Sequence, residues 1–191
     1  MVTPESKLPR QISRVLNVIS TPFLDALLIL HRKLEEENIQ WALWGDFAEA
    51  LKIVKVEPDC IEIVTSENDT ETIFKAVQEY KPERNDTKVR RLSRDALVGG
   101  VQYPLYVKSR FFEFSINFVR FEVNGDLRYR IDNWEWGDKL EFKPEYVTVV
   151  GKKIALVPLS VKFEIYKMIG WEDRAEKIKQ AIERPKAQIR E

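Results

Sequence analysis

The stretch Ile39–Ser66, IQWALWGDFAEALKIVKVEPDCIEIVTS, constrains this chain more than any other. It opens on an alternation, with Ile39, Trp41 and Leu43 set against Gln40, Ala42 and Trp44, the period of a β-strand. Gly45 ends that strand. Phe47, Ala50, Leu51 and Val54 follow at helical spacing and predict a short helix over Asp46–Val54. A second strand, Cys60–Thr65, carries the carboxylate Glu62 between Ile61 and Ile63. A charge inside an apolar strand needs a partner, a metal or a cleft, unless the strand shows that face to solvent.

The flanks read as helices before and mostly strands after. A short amphipathic helix is expected from Pro9, with Ile12, Val15, Leu16 and Ile19 on one face. Ser20-Thr21-Pro22 starts a second helix, Phe23 to about Glu37, which is apolar nearly all round and ends on Glu35-Glu36-Glu37 against the macrodipole. Helix Thr70–Tyr80 follows a cap at Ser66–Asp69. Strands are expected over Val101–Val107 and Arg110–Phe121, with Asn124-Gly125 as a turn. Residues 126–143, with Trp134 and Trp136, show no clean period. A hairpin about Gly151 joins Tyr146–Val150 to Lys152–Val157, and helices Pro158–Ile169 and Trp171–Ile182 precede a frayed tail. The organisation expected is a core over 1–157 and a helical segment over 158–191 packed on it.

Composition narrows the function classes. With 31 basic and 31 acidic residues the net charge is zero, which does not imply a duplex-wide nucleic-acid surface. One cysteine forms no internal disulfide, so a reducing, cytoplasmic location is expected, and one histidine with one cysteine builds no Cys/His zinc site. No apolar run reaches the roughly 20 residues of a membrane span, and the first residues lack the apolar segment of a secretory signal. Charged content of 32% with two Met and seven Gly points to a heat-tolerant source.

Strand, Gly turn, short helix and acidic strand, in that order, resemble the nucleotidyltransferase superfamily, and within it the minimal and abortive-infection-type, antitoxin-associated small nucleotidyltransferases. Ala42-Leu43-Trp44-Gly45-Asp46 matches the first part of the pattern. Pro58-Asp59-Cys60-Ile61-Glu62-Ile63 matches the acidic strand, and Ser115-Ile116-Asn117-Phe118 the later one. The resemblance covers Thr21–Phe121, and Pro158–Lys177 is similar to the helical ending of such proteins. It implies an α+β fold, a mixed β-sheet with flanking helices and a C-terminal helical portion. It further implies transfer of a nucleoside monophosphate from an NTP to an acceptor, with Mg2+ neutralising the developing charge. In that reading Glu62, with Asp46 or Asp59, holds the metal, and Glu62, Asp59 and Asn117 take the catalytic positions. Gly45 and Asp46 form the phosphate turn, which Lys167 and Arg174 approach.

The departures from the pattern are chemical. Asp46 puts an acid where an anion should dock, and otherwise serves as an N-cap. Cys60 stands at the first metal carboxylate as a thiol, or is simply a small buried hydrophobe. Asn117 carries no negative charge, and Asp59 is one residue out of phase with the strand. The active-site motif is therefore degenerate. Two further functions stay open beside nucleotidyl transfer. One is a non-catalytic relative that binds a nucleotide or a protein partner of toxin–antitoxin type. The other is an RNA-binding module using the basic run Lys88, Arg90, Arg91 and Arg94 with exposed aromatics.

Overall fold

The structure is a computed structural model and describes residues 19–37, 39–52, 54–85 and 89–183. The helix expected from Pro9, the tail beyond Glu183 and Lys88 lie outside the described residues. Helix α1 (Thr21–Leu34) has Pro22 in its first turn and buries Leu24, Ala26, Leu27, Leu30 and Leu34. It stops before Glu35, so its last turn is His31, Arg32 and Lys33, which suits the negative end of the helix dipole. The acidic end expected from sequence is therefore not part of the helix.

Strand β1 (Trp41–Trp44) runs straight into the short helix α2 (Gly45–Leu51) and returns antiparallel as β2 (Ile61–Thr65), which pairs Leu43 with Ile63 and Trp44 with Glu62. Helix α3 (Glu67–Ala76) is capped by the Ser66 hydroxyl, which accepts from the Asp69 N–H at 3.0 Å. Short strands β3 (Glu83–Arg84) and β4 (Val89–Arg91) lead to a small hairpin, β5 (Ala96–Val98) and β6 (Val101–Tyr103), about Gly99-Gly100.

Two long strands dominate the sheet, β7 (Leu105–Ile116) and β8 (Val119–Ile131). Their connection is Asn117-Phe118, both left-handed at φ 49° and 67°, a two-residue hairpin turn. The sequence places one strand over Arg110–Phe121 and a turn at Asn124-Gly125; the chain instead reverses inside that strand and passes straight through Asn124-Gly125. Gly125 serves packing, because a Cβ there would meet the Thr70 hydroxyl and the Glu67 backbone of α3.

The register of this hairpin shifts once. Lys108 faces Arg128, but Arg110 faces Gly125, so β8 holds one extra residue at Asp126, itself left-handed at φ 50°. The bulge exchanges the two faces of β8. Glu122 and Asn124 before it, and Leu127 and Tyr129 after it, all turn to one side. Strands β9 (Glu145–Val149) and β10 (Lys152–Leu156) form the expected hairpin, and β10 lies parallel to β1. The mixed sheet reads β3-β7-β8-β2-β1-β10-β9, with β4 also on β7.

One side of the sheet, with Leu43, Ile61, Ile63, Phe112, Phe114, Phe121 and Val123, packs against α1, α2 and α3 as the main core. On the other side helices α4 (Leu159–Met168) and α5 (Glu172–Glu183) gather Val54, Ala96, Leu105 and Ile131 into a second cluster. Residues 135–144 follow no regular element but bond to the edge of β8 through Gly137 N–H to Tyr129 O and Leu140 N–H to Leu127 O. Among the described residues no helix is long and apolar enough to cross a membrane.

The Gly125 contact is testable. Gly125→Ala forces α3 off the sheet and should cost about 1–3 kcal/mol of unfolding free energy. Gly137→Ala, whose added methyl meets only the Tyr129 carbonyl at 3.4 Å, should leave the urea midpoint nearly unchanged.

Candidate active site

The turn at Gly45 and the acid at Glu62 do face one cavity. Gly45 has φ 64°, and a Cβ on it would occupy the place of the Glu62 carboxyl, so both backbone conformation and space demand glycine. The cavity measures about 170 Å³, and Trp44, Asp46, Arg90, Glu122, Tyr129 and Arg174 also line it. Because β2 lies parallel to β8 in register, Glu122 stands directly beside Glu62. Glu113 faces Glu122 from β7, and Glu83 faces Glu113 from β3, so four glutamates cross the sheet in one row.

Like charges this close must be compensated or protonated. Arg90 enters from β4, its guanidinium 3.5 Å from the centre of the Phe111 ring. It donates to Asn124 Oδ1 at 2.7 Å and lies 3.8 Å from Glu122 Oε2. Burial pulls its pKa down, opposed by Glu122, Glu62 and Glu113, the acids it faces. Arg120 holds the other Glu122 oxygen at 2.9 Å. Burial first, and then Glu122, pushes the Glu62 carboxyl up to about 7. Cys60 is buried, and burial with Glu62 and Glu122 raises its thiol far above the usual range, so it stays neutral.

A second polar cluster locks α2 to the C-terminal helices. Arg174 of α5 grips both oxygens of Asp46, at 2.6 and 2.9 Å, and the Asp46 bond raises its own pKa. Glu49 and Lys162 are both fully buried. Glu49 accepts from the Tyr166 hydroxyl at 2.6 Å and lies 3.4 Å from the Lys162 ammonium. Lys162 donates at 2.7 Å to the carbonyl of Gly45 and sits 4.8 Å from the Trp44 ring. Burial lowers the Lys162 pKa, while Glu49 raises it. The bend at Gly45 is thus held from behind by a buried cation.

The structure brings together Gly45, Asp46, Glu62 and Arg174 of the residues singled out from sequence. The others fall elsewhere. Asp59 precedes β2, its side chain 86% exposed and 3.5 Å from Arg120. Asn117 occupies the exposed hairpin turn, so it does not stand beside Glu62; Glu122 takes that place. Phe121-Glu122-Val123 repeats the apolar-Glu-apolar pattern of Ile61-Glu62-Ile63, the one signal that marks it in the sequence. Lys167 is 5.9 Å from the Phe163 ring, outside the cavity, and Lys162 is the lysine that reaches the Gly turn. The basic run does not form a patch: Arg90 enters the cleft, Arg91 is bound by Asp95, and Arg94 by Asp173.

The side chains present do not fit a divalent metal pair. Hard cations need several anionic oxygens. Here Asp46 gives both oxygens to Arg174, Glu122 is shared by Arg120 and Arg90, Asp59 lies outside, and Cys60 is a neutral thiol, so Glu62 is the one carboxylate in the cleft with no ion-pair partner among the described residues. Among the described residues no group of three His, Cys, Asp or Glu side chains is placed to hold an ion. The Glu49–Lys162 pair should show the asymmetry of buried charges. Lys162→Met alone should cost about 3–5 kcal/mol in urea unfolding, and adding Glu49→Gln should recover part of that loss.

The sequence matches no protein-family model and no curated protein. The solved structures give a clear likeness. TM1012, a nucleotidyltransferase candidate from Thermotoga maritima, is 25% identical over 87% of this chain and 96% of its own, with a TM-score of 0.63. The lincosamide antibiotic adenylyltransferase LnuA in its lincomycin-bound form is 8% identical over 82% of this chain and 96% of its own, with a TM-score of 0.50, a likeness of fold alone. With strand, Gly turn, short helix and acidic strand in the matching order, this chain has the nucleotidyltransferase superfamily fold.

Proposed function

We propose that this protein uses the nucleotidyltransferase fold to bind a partner at its cleft, without metal-dependent nucleotidyl transfer. The observation that carries the reading is Arg90. Its guanidinium faces the Glu62–Glu122 pair, fixed by Asn124 and Phe111, and supplies there the positive charge a metal ion would bring. An Arg in this setting keeps its charge at any working pH and exchanges with nothing. The cavity also supports binding over turnover. At about 170 Å³ it falls below the roughly 300 Å³ of small-ligand pockets, so a nucleotide would require the Arg174–Asp46 clamp to open. A segment of a partner protein laid across the closed cleft needs no such opening.

A second reading keeps transfer of a nucleoside monophosphate from an NTP to an acceptor with Mg2+. It is favoured by one feature, two carboxylates side by side next to a glycine that lets phosphates approach its backbone. Incubation with radiolabelled NTPs and Mg2+ or Mn2+, read as pyrophosphate release, separates the two. No release above background is expected. Release that Glu62→Gln abolishes would overturn the binding reading and establish the second.

Two outcomes follow from the charges themselves. Arg90→Gln leaves Glu62 and Glu122 without that cation, so the variant should gain a thermal shift with millimolar Mn2+ that the parent protein lacks. The second concerns pH. The Glu62 carboxyl titrates near 7 in the folded protein and near 4.5 when free. Its contribution to stability is therefore complete below about pH 4.5 and lost as the pH rises through 7. Glu62→Gln should gain on the parent protein between pH 5 and pH 8, by up to about 3 kcal/mol.

A further inference from the structure

The sheet is electrostatically two-faced at its β4–β7–β8 end. The side that carries Glu62, Glu122 and Glu113 looks into the cleft. On the opposite side α3 reaches as far as Gly125 and, through Glu67 and Glu71, Arg110. Beyond that point the register places Tyr106 and Lys108 of β7 beside Arg130 and Arg128 of β8, with Arg91 of β4 across from Tyr106. Lys108 and Arg128 are exposed and directly opposite each other, a like-charged cross-strand pair that costs stability. Neither forms an ion pair among the described residues. Both line a cavity of about 480 Å³ that opens where α3 leaves the sheet.

Arg130 extends the same face. Its guanidinium lies 5.2 Å from the Tyr106 ring and 4.8 Å from that of Trp136, and its Nε–H is buried without an acceptor. Rings and cations therefore alternate along this half-buried sheet surface. Local rules broken with no internal gain concentrate at functional positions. Glu67, Glu71 and Asp126 line the same cavity, but Arg110 and Arg84 hold the two glutamates, and Lys108, Arg128 and Arg130 form no ion pair among the described residues.

We infer that this outer face binds single-stranded nucleic acid. Lys108, Arg128 and Arg130 would take backbone phosphates, and bases would stack on Tyr106 and Trp136. The arrangement fits a single strand over a duplex, because flat aromatic platforms on a sheet receive unpaired bases while a basic groove follows the backbone. The chain's zero net charge conceals the face, because acids elsewhere balance it, among them Glu62, Glu113 and Glu122 on the other side of the sheet. The site is separate from the cleft, so it stands or falls independently of the reading given above.

Fluorescence anisotropy of the full chain with labelled 12-mers of uridine and of thymidine tests this directly, with tryptophan fluorescence as a second readout. Three phosphate contacts on a single strand give a salt slope near −2, so affinity should fall about 20-fold between 50 and 200 mM salt. Lys108→Glu should weaken binding about tenfold or more while leaving the melting temperature equal or higher, since it converts the like-charged pair into an ion pair. Lys153→Glu makes the same change of net charge on β10, at the far end of the sheet, and should bind as the parent does. Trp136→Ala should weaken binding and remove the fluorescence change. A preference for one 12-mer tells RNA from DNA, and either supports the site. Absence of saturable binding to both would overturn it. So would equal losses in Lys108→Glu and Lys153→Glu, or full competition by polyglutamate at matched charge.

Discussion

Because no side chain stands between Gly45 and the Glu62 carboxyl, strands β1 and β2 bring a left-handed turn and an acid into the same small space. The polar groups around α2 and β2 answer this approach. Lys162 bonds the Gly45 carbonyl from behind and draws Glu49 into the core with it. Glu122 arrives beside Glu62 because β8 runs parallel to β2, and Arg90 and Arg120 follow to compensate two adjoining acids. The C-terminal helices matter here as bearers of charge as much as of apolar surface, since Lys162, Tyr166 and Arg174 all converge on α2.

The superfamily's metal chemistry depends on carboxylates left free to hold a cation. Here Asp46 and Glu122 are held by arginines and Asp59 lies outside the cleft, which leaves Glu62 as the one candidate carboxylate there with no ion-pair partner among the described residues. A guanidinium among carboxylates brings one positive charge where a divalent ion brings two, and it offers no open coordination position. The fold is that of the superfamily, and under the proposed reading Arg90 stands where the ion that acts on a triphosphate would be. The neutral Cys60 thiol and the Asp46–Arg174 clamp point the same way.

Local periodicity made the strand–turn–helix–strand unit legible, and with it the meeting of Gly45 and Glu62. The spacing of apolar residues also gave the β9–β10 hairpin and both C-terminal helices within a few residues. The long hairpin was not legible in detail. Its turn uses Phe118, a residue with no preference for left-handed backbone, whereas Asn124-Gly125 carries the usual turn signal but is glycine for the sake of α3. That displacement hid Glu122 and sent the third position to Asn117. The extra residue at Asp126 exchanges the faces of β8, so alternation alone could not show which residues meet the cleft. Lys162 and Glu49 were hidden for another reason: each is an ordinary helical residue until tertiary packing buries it beside the other.

The central claim is that Arg90 serves as the cation of the Glu62–Glu122 pair. A crystal structure of the full chain grown with Mn2+ and a non-hydrolysable NTP analogue, with anomalous data at the manganese edge, tests it most directly. The account predicts guanidinium density beside Asn124 and no anomalous peak between the two carboxylates. A manganese peak bridging Glu62 and Glu122, with Arg90 turned away, would contradict it.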